Sequence, residues 1–161
     1  MTDDASGSAA GRAGSAPDRR GDFEFVEGAT GDLAFVARGP TPEALFAAAA
    51  EALLAATVEE PERIGTEIRQ RVSLAEPALD LLLLGWLDEL IWLRDARQLL
   101  ARAAHLELTR EGDGWRLEGE VAGEGIGPHC RLRAEIKAAT AHGLRVERTA
   151  TGWEARVTLD V

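Results

Sequence analysis

From Ala104 to the last residue the chain is written almost entirely in period two. Trp153, Ala155, Val157 and Leu159 alternate with Glu154, Arg156, Thr158 and Asp160. Trp115, Leu117 and Val121 oppose Arg116, Glu118 and Glu120 in the same way. Successive side chains of a strand point to opposite faces, so this pattern predicts sheet with one face buried and one solvated. Leu106 and Leu108 begin it, and Glu111-Gly112-Asp113-Gly114 supplies a turn. Cys130, Leu132, Ala134 and Ile136 alternate with Arg131, Arg133, Glu135 and Lys137, and Leu144 and Val146 start another strand. Earlier in the chain, Phe23 to Val26, Leu33 to Arg38 and Ile64 to Leu74 read as strands.

Two segments break this rhythm with helical spacing. Thr41 is an N-cap, Pro42 takes the first helical position and Glu43 the first turn, with apolar residues continuing to about Ala56. A second helix is expected after Glu76-Pro77, running to about Leu93 with Leu79, Leu83, Trp86, Leu87, Leu90 and Leu93 as its stripe. Leu81, Leu84, Ile91 and Trp92 fall largely outside that stripe. Such a girth means burial on two sides or an exposed contact surface, and burial is the expectation. The fold class is therefore α+β: a two-layer domain, two helices packed on a mostly antiparallel sheet of about eight strands. Residues 1–22, rich in Gly, Ala, Ser and charge, are expected to be a disordered tail ahead of a domain over 23–161. The tail has no apolar central region, so it does not read as a secretory signal.

Charge narrows the function classes. A formal net charge of -10 argues against strong direct nucleic-acid binding through the whole surface, because neutralising phosphates needs clustered cations. The longest apolar stretch, around Leu81 to Leu84, is cut by Asp80 and Asp88, so no membrane span is expected. The single cysteine, Cys130, cannot form an internal disulfide and suits a cytoplasmic protein; its strand parity predicts an inert core thiol.

Among the 18 Lys and Arg residues, Lys137 is the only lysine. An ammonium is a compact point charge, which a guanidinium does not replace where geometry is tight. Lys137 and Asp160 both fall on the polar parity of their strands, and Asp32 stands at a loop-to-strand junction. Asp160 is followed only by Val161, so two carboxylates lie side by side, a hard-ligand pair suited to Ca²⁺ or Mg²⁺ unless the end simply lies solvated. His105, His129 and His142 have no metal-ligand spacing. Glu135 and Lys137, two apart on one strand, fit a metal-dependent nuclease, although any alternating charged face produces such a pair.

Several stretches together resemble the archease family: Phe23-Glu24-Phe25 with Ala29-Thr30-Gly31-Asp32; Thr41 to Phe46; Trp86 to Ile91; His129 to Leu144; and Gly152-Trp153 to Leu159-Asp160-Val161. The resemblance covers nearly everything from Phe23 to Val161. It implies an accessory protein rather than an enzyme, one that activates a GTP-dependent RNA ligase in tRNA splicing or RNA repair by promoting its guanylylation and multiple turnover. It further implies a divalent metal of the Ca²⁺ or Mg²⁺/Mn²⁺ class held by Asp32, Asp160 and the Val161 carboxylate, with Lys137 as the residue that acts on the partner ligase. Ala29 and Ala141 depart from the family pattern, which has a His and an aromatic residue there. The readings left beside this are the nuclease using Glu135 and Lys137, and a protein-binding or chaperone-like module acting around Leu84 and Trp92.

Overall fold

The computed structural model describes residues 20–28 and 32–161. Most of the expected tail, together with Ala29, Thr30 and Gly31, lies outside the described residues. Among the described residues, seven strands and two α-helices follow in the order β1 (Asp22–Glu27), β2 (Leu33–Gly39), α1 (Pro42–Thr57), β3 (Ile68–Glu76), α2 (Leu79–Arg97), β4 (Leu99–Glu111), β5 (Gly114–Gly125), β6 (Ala138–Thr149) and β7 (Gly152–Asp160), with a 3₁₀ turn at Pro61–Arg63. The α+β class stands. The strands divide into a four-stranded sheet ordered β1-β2-β7-β6 and a three-stranded sheet ordered β3-β5-β4. Every pairing is antiparallel.

Helix α1 starts where its sequence dictates. The Thr41 side chain accepts the Ala44 N–H at 3.1 Å, satisfying one of the amides a helix start leaves without a partner. Its many alanines let it touch both sheets, against β1 and β2 on one side and β4 on the other. Helix α2 likewise meets both sheets, packing on β6, β4, β3 and β5. Both helices are thus covered on two sides, and the core between the sheets gathers Phe35, Leu45, Phe46, Trp86, Leu117, Val157 and Leu159. The indole N–H of fully buried Trp86 donates to the Phe46 carbonyl at 2.9 Å, so the largest core side chain leaves no orphan donor.

The wide apolar girth of α2 is only partly covered. Ile91 is buried and Leu84 packs against the core, but Leu81 and Trp92 are 41% and 47% exposed. The helix ends at Gln98, which adopts φ 54° and turns the chain directly into β4. The strand therefore begins at Leu99, several residues before the alternation becomes legible at Ala104.

The expected strand over Cys130 to Lys137 does not form. The chain there is irregular, with a single bridge between Val58 and Leu132. Its alternation has another cause. Ile136 is fully buried and Ala134 and Cys130 are partly buried against the cores, while Leu132 is 53% exposed, so packing of a loop rather than a sheet face produces the pattern. Strand β6 starts just after it, at Ala138. Within β6 the register slips between Thr140↔Thr158 and Arg145↔Arg156, so Ala141 to Leu144 stand opposite Val157 alone. Gly143 sits in this bulge at φ +70°, a conformation that disfavours any side chain.

Candidate functional site

One end of the four-stranded sheet brings three distant segments together. Strand β7 lies between β2 and β6. Leu33 pairs with Leu159, which places Asp32 just past the last β2–β7 pair. Ala138 pairs with Asp160, and the Lys137 N–H donates to the Asp160 carbonyl at 2.7 Å. The main chains of Asp32, Lys137, Asp160 and Val161 therefore meet at this edge. All four residues are exposed. Among the described residues, none of the ion pairs within 4.0 Å involves Asp32, Lys137 or Asp160.

Lys137 reaches this position from a loop, not from a strand face, because the segment before it is irregular. Helix α2 holds that loop. The Arg94 guanidinium, almost fully buried, donates through Nη2 to the Ile136 carbonyl at 2.6 Å and to Asp95 Oδ1 at 2.7 Å. Asp88 Oδ1 accepts the Ala139 N–H at 3.1 Å. Full burial of the Ile136 side chain adds roughly 1.5–3 kcal/mol of anchoring. Lys137 is thus bracketed by fixed backbone on both sides. Partial burial pushes the Asp88 carboxyl up, against the lowering effect of the Ala139 N–H. Asp88 and Arg94 were not singled out as site residues in the sequence. A charged residue on the apolar side of a helix, as Arg94 is beside Leu93, was the available signal.

Across the sheet, Arg156 Nη2 donates to the Glu27 carbonyl at 2.8 Å, tying the end of β1 to β7 ahead of the connection that carries Asp32. His142 lies in the β6 bulge and is exposed; its N–H donates to Thr140 Oγ1 at 3.2 Å. His105 is exposed beside Glu107, at 3.4 Å. Glu135 and Lys137 are both exposed, but the strand that was to put them on one face is absent.

A second group of polar side chains lies where the loop after β5 folds back beside the three-stranded sheet. Glu124 near the end of β5, His129 and Cys130 offer ligand atoms all within 4.8 Å of one another, a set that could hold a metal ion. His129 Nε2 lies 2.6 Å from Glu124 Oε2, and Cys130 Sγ lies 3.6 Å from His129 Nε2. Glu124 Oε1 accepts the Gly65 N–H at 2.5 Å. That backbone bond, with His129 second, holds the Glu124 carboxyl below the usual carboxylate range. Cys130 is half-buried against the small core of Leu54, Val58, Ile64 and Leu100, reached from a loop rather than from the expected strand. No helix among the described residues is long and apolar enough to cross a membrane.

Comparison with known proteins agrees with this architecture. The sequence model of the Archease protein family (MTH1598/TM1083) matches residues 23–161. The "Protein archease" of Methanosarcina mazei is 33% identical over 141 residues, covering 86% of this chain and 95% of its relative. That of Archaeoglobus fulgidus is 33% identical over 139 residues, covering 86% and 98%. The solution structure of protein 1598 from Methanobacterium thermoautotrophicum superposes with a TM-score of 0.75 at 30% identity, covering 86% of this chain and 98% of its own. On the family match, the identities and the shared fold, the chain belongs to the archease family.

Proposed function

We propose that this protein is an accessory factor, not an enzyme, that activates a GTP-dependent RNA ligase in tRNA splicing or RNA repair by promoting its guanylylation and multiple turnover. The observation that carries the proposal is the convergence of Asp32, Asp160, Val161 and Lys137 at one sheet end, through the Leu33↔Leu159 and Ala138↔Asp160 pairs. Asp32, Asp160 and the Val161 carboxylate are the residues to hold a divalent cation of the Ca²⁺ or Mg²⁺/Mn²⁺ class. Their oxygen donors are exposed and, for the two aspartates, outside the ion pairs of the described residues, which fits a hard cation. Such a cation supplies positive charge to a phosphate-handling surface. Lys137, held by Arg94, Asp88 and the Asp160 carbonyl, presents an ammonium as a point charge to a partner's phosphate. The acidic surface, at net charge -10, directs this chemistry to a protein partner rather than to bare RNA, in the cytoplasm.

The test is guanylylation of a GTP-dependent RNA ligase with and without this protein. Asp32→Ala, Lys137→Ala and Asp160→Ala are each expected to lower the stimulation. Variants that all stimulate as well as the parent would overturn the assignment. A second reading, a protein-binding module working without metal, rests on the exposed Leu81 and Trp92 of α2. It predicts binding that resists chelators and is lost on Trp92→Ala.

A further inference from the structure

We infer that Glu124, His129 and Cys130 form a second metal site, one that takes a transition-metal dication of the zinc class. The three donors are a carboxylate, an imidazole and a thiol, and their ligand atoms already lie within 4.8 Å of one another. Imidazole and thiolate together favour zinc-class ions over the hard cations that an all-oxygen site prefers. The site is thus chemically unlike the Asp32, Asp160 and Val161 set, and it sits between the other sheet, through Glu124, and the loop that follows it.

The donors are placed by backbone rather than by chance contact of mobile side chains. Cys130 N–H donates to the Gly127 carbonyl at 2.9 Å, closing the turn that presents His129 and Cys130 side by side. Ile126 N–H donates to the Gln98 carbonyl at 2.8 Å on one flank. On the other, Glu59 N–H donates to the Arg131 carbonyl at 2.9 Å and Arg133 N–H to that of Thr57 at 2.7 Å. The ligand loop is therefore pinned on both sides, to the end of α2 and to the end of α1.

Two of the ligands also have contacts from behind. Gly65 N–H holds Glu124 Oε1, which leaves Oε2 turned to His129. The His129 ring lies against Gly127, where an added Cβ would come within 3.1 Å of Nδ1. Its Nε2 edge is thereby directed at Glu124 and Cys130. A backbone bond to a ligating carboxylate is the kind of outer contact that aims a metal ligand. His129 and Cys130 border a cavity of about 240 Å³, lined also by Glu60, Arg63 and Arg131, which leaves a fourth position open for water.

Charge balances at this centre. On binding, the Cys130 thiol releases its proton to solvent as the sulfur–metal bond forms, and His129 binds as neutral imidazole. One carboxylate and one thiolate then neutralise the dication, so Arg63 and Arg131 nearby do not oppose it.

The test titrates the full-length protein with Co²⁺ as an optical probe, then with Zn²⁺ as competitor. Cys130 is the only cysteine, so any sulfur-to-cobalt charge-transfer absorption within one chain reports this site. The expected result is such absorption saturating at one equivalent, abolished by Zn²⁺ and unmoved by excess Mg²⁺ or Ca²⁺. Cys130→Ser removes it, and His129→Ala and Glu124→Gln each weaken Co²⁺ binding about 10- to 100-fold. Asp160→Asn leaves it intact, which separates this site from the one at the sheet end. Absence of the absorption in the parent, or a band that His129→Ala and Glu124→Gln do not weaken, overturns the inference. Ligase stimulation plays no part in the readout.

Discussion

The Lys137 amide donates to the Asp160 carbonyl at 2.7 Å, so the only lysine of the chain is fastened to the strand that ends beside it. Main-chain geometry, not a side-chain ion pair, sets where the ammonium starts. That leaves the ammonium to meet a ligand.

Lys137→Arg is the sharpest test of this arrangement. The side chain is exposed, so folding stability should change by less than about 0.5 kcal/mol in urea unfolding. Stimulation of ligase guanylylation should nevertheless drop, because the guanidinium is larger and forked. Full stimulation by the variant would show that charge alone suffices.

Extending the chain past Val161 converts the terminal carboxylate into an amide. Cation binding at the sheet end should weaken, read as a right-shifted Ca²⁺ titration by calorimetry. The Co²⁺ absorption at Cys130 should stay unchanged. An unshifted Ca²⁺ titration would remove Val161 from the ligand set.

Arg94→Met should loosen the Lys137 loop without disturbing distant strands. It removes the donor to the Ile136 carbonyl while keeping a long apolar side chain in the same place. Native-state hydrogen exchange at the Lys137 and Ala139 amides should accelerate more than exchange in β5. Equal acceleration everywhere would mean that Arg94 supports the whole fold rather than this loop.

Asp88 gives a pH signature. Partial burial raises its pKa in the folded chain, so the folded chain keeps this proton to higher pH than the unfolded chain does. Stability therefore falls as pH rises through the carboxylate range, then stays level above it. Asp88→Asn keeps an oxygen to accept the Ala139 N–H but cannot ionise. Its melting temperature should exceed the parent's modestly at neutral pH, with the gap closing in acid. The residue remains substantially open to solvent, which keeps the effect small. A gap that is constant with pH would contradict this account.

Much of the fold was legible because its signals are local. Thr41, Pro42 and Glu43 mark the start of α1, and the Trp153 to Leu159 alternation marks β7. The Cys130 to Lys137 alternation misled because a loop that packs Cys130, Ala134 and Ile136 inward imitates a half-buried strand. The start of β4 was hidden because Leu99 to Ala103 carries on the apolar run of α2 with only the Gln98 turn between them. At the sheet end, the residues themselves suggested only an acidic terminus and a lone lysine; the family resemblance grouped them. The Glu124, His129 and Cys130 group depends on how a turn folds back onto β5. No residue spacing encodes that, so His129 and Cys130 read as unrelated neighbours.

Strand β7 joins β2 to β6, yet β2 and β7 come from near opposite extremes of the sequence. Closing so long a loop costs entropy before any pairing compensates for it. The hairpins β4–β5 and β6–β7 can zip early, whereas the β2–β7 seam must wait for a long search. The acidic edge is accordingly a late product of folding: until that seam closes, Asp32 and Asp160 belong to separate regions of a collapsing coil.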